Sequence, residues 1–88
     1  MKRKELLEQA AKITNGERQE HYGTPEDNFA RIAELWNAYT CTAQFSAHDV
    51  AAMMILLKVA RIASDPKHLD SWIDIAGYAS CGGEIVDG

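Results

Sequence analysis

Apolar residues recur along this chain every three or four positions, and no stretch alternates with period two. The pattern predicts helices. Between residues 3 and 14, Leu6, Leu7, Ala10, Ala11 and Ile13 fall on one side, with Lys and Glu elsewhere. Asn15-Gly16 then supplies a stop that tolerates the left-handed conformation. Glu17 to Tyr22 has room for one further turn, closed by Gly23. Thr24-Pro25-Glu26-Asp27 is a strong helix start: Thr24 caps, Pro25 suits the first helical position, and Asp27 completes a capping box. The helix that follows sets Phe29, Ile32, Ala33, Trp36 and Tyr39 on one face, and residues 40–45 read as a loop. Ser46-Ala47-His48-Asp49 repeats the capping pattern and opens a helix running to about Ala63. Ser64-Asp65-Pro66 breaks that helix and can cap the next. The last helix places Leu69, Trp72, Ile73, Ala76 and Ala79 inward and frays near Gly82-Gly83. The expected fold is all-α: one domain over residues 1–88, a compact bundle of about four helices joined by short connections.

The helix from Ala47 to Ala63 stands apart. Between Val50 and Ala63 only Lys58 and Arg61 are charged, so the helix is apolar nearly all round and calls for cover on every side. Three companion helices hardly provide that in so short a chain. A homo-oligomer assembled through this helix is therefore expected.

Composition narrows the function. Eighty-eight residues with a net charge of −4 lack the basic face that a DNA or RNA binder needs to displace counterions. A small anionic ligand remains compatible, since two or three local cations suffice. Cys41 and Cys81 lie far apart and belong to no CxxC or Cys/His cluster, so free thiols and no structural zinc are expected. Met1-Lys2-Arg3-Lys4-Glu5 leads into amphipathic rather than apolar sequence, and Val50 to Leu57 is too short to span a bilayer. A cytoplasmic protein without membrane contact is the expectation.

Candidate chemistry gathers in three places. Lys58 and Arg61, three residues apart, share a helix face, and cations in an apolar setting require partners. Asp70 and Asp74, spaced i,i+4 on the next helix, are the natural ones, with Tyr78 one turn further on the same side. The set reads either as an ion-pair network that fixes two helices or as an anion site. In the latter, Arg61 would take phosphate oxygens bidentately and Lys58 would act as a point charge. A second cluster, Arg18, His21, Tyr22, Gly23 and Asn28, lies where one short turn meets the next helix start. It reads as simple turn chemistry or as an anion site built on backbone donors. Third, Glu17 and Glu20 form an ExxE pair that, with Asp70 and Asp74, invites magnesium. Trp36, Tyr39 and Trp72 sit at helical spacing suited to core packing, although one of them at a pocket edge would stack on a nucleobase. No catalytic triad, glycine-rich phosphate loop or nucleophilic cysteine pattern is present.

The ordered pattern Arg18…Tyr22-Gly23…Asn28-Phe29…Ala33…Trp36, then Asp49-Val50…Met53-Met54…Lys58…Arg61, then Asp70…Asp74…Gly77-Tyr78, resembles a small all-α family found mainly in phages and prophages and described only as a domain of unknown function. The last two helices are similar to the "nucleotide modification associated" domains of phages, where a Lys-x-x-Arg helix precedes an Asp-rich helix ending in Tyr. At greater distance the layout resembles the MazG-like all-α nucleotide pyrophosphohydrolases, which hold magnesium with an ExxE and an ExxD helix. Here Asp70-Ser71-Trp72-Ile73-Asp74 is DxxxD instead, a departure from the metal-binding pattern. The resemblance implies a nucleotide-derived ligand, a cyclic nucleotide or an ADP-ribose-type defence signal. A non-catalytic phage protein would sequester it in the host cytoplasm with Lys58, Arg61, Arg18, Tyr22, Gly23, Asn28, Trp36, Asp70, Asp74 and Tyr78. No cofactor is needed for that. The alternatives are a magnesium-dependent nucleotide pyrophosphohydrolase or nucleotide-modification accessory, and a structural interaction protein.

Overall fold

The helical periodicity is realised throughout. A computed structural model describes the backbone of all 88 residues and every side chain except those of Glu17 and Arg18. Five helical segments follow one another: α1 (Arg3–Thr14), α2 (Glu17–Tyr22), α3 (Pro25–Thr40), α4 (Ala47–Ser64) and α5 (Leu69–Asp87). Four are long, and α2 is the single extra turn expected before Gly23. Gly16 and Gly23, the residues on either side of that turn, take φ of 63° and 81°, which a side chain would resist.

Local chemistry sets the boundaries. Thr24 Oγ1 accepts the Asp27 N–H at 3.3 Å, and Pro25 opens α3. The Asn37 side chain clamps the following loop: its Nδ2 donates to the Phe45 carbonyl at 3.0 Å and its Oδ1 accepts the Phe45 N–H at 2.9 Å. At the start of α4, the Asp49 carboxylate accepts from the Ser46 N–H at 2.9 Å and the Ser46 hydroxyl at 2.8 Å. These bonds, with the nearby His48, hold its carboxyl below the ordinary value of 3.8.

α5 is the hub, packing on α4 most extensively and also on α1 and α3. The core joins Phe29 and Ala33 of α3, Val50 and Ala51 of α4 and Cys81 of α5, with Trp36 and Phe45 edge to face beside it at 6.0 Å. Several expected positions shift. Helix α5 does not fray at Gly82-Gly83 but continues to Asp87, and Gly82 packs against α4, with the Ala51 Cβ 3.2 Å from where a Cβ would stand. Its inward stripe is Ile73, Gly77 and Cys81, spaced i,i+4, whereas Leu69, Trp72 and Ala79 are exposed. Trp72 instead donates its Nε1–H to the Pro66 carbonyl at 2.9 Å. The cap of α5 is His68 rather than Ser64 or Asp65. On α1 only Ala10 is buried while Leu7 and Ile13 keep 61 % and 44 % of their surface exposed, and on α3 Tyr39 is 91 % exposed. Helix α4 buries Val50 and Ala51 but leaves Met53, Leu56, Leu57 and Val59 exposed. Among the described residues, no helix is long and apolar enough to cross a membrane.

Candidate functional site

Where α1, α2 and α3 meet the middle of α5, they frame a half-open cavity of about 230 Å³. Each element contributes through its local geometry. The last turn of α1 brings Ala10, Ile13 and Thr14; α2 brings Gln19 and Tyr22, and Gly23 turns the backbone into the start of α3. From α3 come Pro25, Asn28 and Phe29, and from α5 Ile73, Asp74, Gly77, Tyr78 and Cys81. The space exists partly because residue 77 is glycine: a Cβ there would stand 3.1 Å from Thr14 Cγ2. Phe29 and Tyr78 lie with ring centroids 6.3 Å apart, tilted by 47°.

Lys58 meets this site indirectly. Its Nζ lies 2.9 Å from Asp74 Oδ2, with side chains 15 % and 31 % exposed. The pair links α4 to α5 and fixes a carboxylate in the cavity wall. The remaining lining is apolar apart from Thr14, Gln19, Asn28 and the Tyr and Cys tips. That is the usual make-up of a small-molecule pocket: an apolar body with a few oriented polar groups.

Of the ten expected binding residues, the structure gathers five in this cavity: Tyr22, Gly23, Asn28, Asp74 and Tyr78. Lys58 touches it through Asp74. Arg61 lines a separate, open groove with Leu57, Ala60, Ser64, Asp65, His68 and Ser71. The reason is geometric. Residues i and i+3 differ by about 60° around a helix, enough to put Lys58 on the buried edge of α4 and Arg61 on the exposed one. Among the described residues, neither Arg61 nor Asp70 forms an ion pair. Trp36 packs on Phe45 away from the cavity. The side chains of Arg18 and Glu17 lie outside the described residues. Glu20 is exposed, and among the described residues no three acidic, histidine or cysteine groups converge to hold a metal. Phe29, which the pattern sets on a core face, lines the cavity together with Thr14, Gln19 and Gly77, none of which is among the expected binding residues. Adjacency offered one signal, since Phe29 follows Asn28. Cys41 is a free, exposed thiol, and Cys81 is buried.

No solved structure matches the chain. It is 49 % identical over 74 residues to the Gene 55 protein of Mycobacterium phage L5, an alignment covering 84 % of this chain and 47 % of that protein. To the Gene 55 protein of Mycobacterium phage D29 it is 45 % identical over 76 residues, covering 86 % of this chain and 50 % of the relative. The chain thus spans about half the length of the curated relatives it matches. Residues 5–86 match a family model described as "Domain of unknown function (DUF6378)", and with nearly all of its helical framework inside that match, the chain belongs to this family, whose members include proteins of phages.

Proposed function

We propose that this chain is a nucleotide-binding protein that takes up a nucleotide-derived small molecule stoichiometrically, without chemical conversion, in the host cytoplasm. The observation that carries the reading is the cavity between α1, α3 and α5. Tyr22, Phe29 and Tyr78 offer ring faces there, while Asn28, Gln19 and Asp74 offer hydrogen-bonding groups suited to a heterocycle edge. Lys58 holds Asp74 and offsets the negative charge that this carboxylate brings to the wall. Its volume suits a base-sized group, with a phosphate or second nucleotide reaching outward. The resemblance of the last two helices to phage nucleotide-modification domains supports the same ligand class. Cyclic nucleotides and ADP-ribose derivatives, which bacteria use as defence signals, are the members of that class a phage gains from sequestering.

Thermal melts with cyclic dinucleotides, ADP-ribose compounds and nucleoside triphosphates test the proposal. A true ligand stabilises by RT ln(1+[L]/Kd), about 2.7 kcal/mol at a hundredfold excess over Kd. Asn28→Ala should remove most of that shift while leaving the ligand-free melting temperature nearly unchanged. Arg61→Ala, on the separate groove, reports whether the ligand extends beyond the cavity. Magnesium-dependent hydrolysis of a nucleotide, abolished by Asp74→Asn, would overturn sequestration in favour of an enzyme.

The Lys58–Asp74 contact favours a second reading, in which the charged residues only lock α5 onto α4 and the chain serves as an interaction module. No melting shift with any nucleotide is the outcome that selects it.

A further inference from the structure

We infer that the exposed face of α4 is the seam of a symmetric homodimer. The first observation is the size of the surface. The chain exposes 6305 Å², whereas a folded monomer of its mass exposes about 5,200 Å² by the scaling of surface with mass. The excess, roughly 1,100 Å² per chain, exceeds the ~800 Å² that each partner buries in an interface of standard size.

The second observation is where apolar surface is left uncovered. Met53, Leu56 and Val59 are 39 %, 65 % and 47 % exposed, and Ala52, Ala60 and Ala63 lie exposed beside them. From residue 52 to residue 63 this sector of the helix carries no charge: Lys58 turns inward to Asp74, and Arg61 lies at its edge in the neighbouring groove. Ala52, Leu56, Val59 and Ala63 follow the 4-3-4 spacing of a helix-packing seam.

The shape of this face specifies a second copy as its occupant. Leu56, the most exposed large side chain of this face, stands near the midpoint of α4 with Met53 and Val59 to either side and the small Ala52, Ala60 and Ala63 beside them. Such a face carries both knob and hole. Two copies related by a two-fold axis near Leu56 seat each leucine in the low ground around the other's alanines, the self-complementarity that an isologous interface requires. The α1, α2 and α3 elements of the cavity lie outside this face, so dimerisation does not depend on ligand.

The experiment is native mass by light scattering on the 88-residue chain, from micromolar to hundreds of micromolar. The expected mass is twice that of the chain, falling to one chain in Leu56→Glu and unchanged in Leu7→Glu, an equally exposed leucine on α1. A wild-type chain that stays monomeric throughout, or a dimer that survives Leu56→Glu, overturns the proposal. Where Leu56→Glu loses its helical circular dichroism, Leu56→Cys in a Cys41→Ser background decides the matter. A short bismaleimide should link it into dimers in high yield, and a chain that stays unlinked would overturn the seam.

Discussion

Lys58 departs from the apolar surroundings of α4 and ends 2.9 Å from Asp74 on α5. Exposed ion pairs contribute about 0–1 kcal/mol, and removing one partner from a fully buried pair costs about 3–5. With both side chains partly covered, Lys58→Ala should cost about 1–2 kcal/mol in urea unfolding, since it leaves Asp74 charged and half-desolvated. Lys58→Met with Asp74→Leu should recover most of that loss; failure to recover would show that the carboxylate does more than pair. Asp49 gives a pH signature at the same scale. Its carboxyl is held below 3.8 in the folded chain, chiefly by the Ser46 N–H and then by the Ser46 hydroxyl. A lowered folded value means stability that is present above the ordinary aspartate range and lost as pH falls through the folded one. Wild-type stability should therefore decline more steeply below about pH 4 than that of Asp49→Asn, and the two should converge in acid, as read by urea midpoints against pH.

Glycine sets the distances between elements. Gly82 lets α4 approach α5 closely, with Ala51 Cβ 3.2 Å from where a Cβ would be. Because that interface is the most extensive in the molecule, Gly82→Leu should destabilise by about 1–3 kcal/mol through overpacking. Gly77 performs the same service for α1, where Thr14 Cγ2 stands 3.1 Å from the missing Cβ. Here the consequence is functional as well. Gly77→Val should force α1 outward and reshape the cavity, lowering ligand affinity by more than its cost in melting temperature accounts for. Titration of the folded variant with the same ligands measures this.

At the scale of the molecule, the Cα radius of gyration is 13.6 Å, above the roughly 12 Å typical of a compact chain of this length. The long dimension, 41 Å against 30 and 22 Å, belongs to a fold that spreads its helices around α5 rather than wrapping them about one centre. Two consequences are measurable by small-angle scattering and calorimetry. The Leu56→Glu chain should scatter with the dimensions of a single copy while the wild type is larger. The melting temperature of the wild type should also rise with protein concentration, because a partner that binds only the folded state stabilises it by mass action.

Local sequence dictates the helices and most of their ends. Period, capping residues and turn glycines act within a few residues, so Thr24-Pro25, Ser46…Asp49, Gly16 and Gly23 could be read locally. It also named the Lys58–Asp74 partnership, because an apolar helix offers a cation few alternatives, and it placed Tyr22, Gly23, Asn28, Asp74 and Tyr78 among the candidates. Tertiary structure decided what depends on the angle at which helices meet. It sent Arg61 and Lys58 to different sites, turned Trp72 and Tyr39 outward, and made Gly82 a packing contact where a helix end was expected. It also put Thr14, Gln19, Phe29 and Gly77 around one cavity. Rotating a helix by one residue changes its buried face by 100° while leaving its periodicity untouched, so the pattern records that a face exists and only packing records which neighbour it meets.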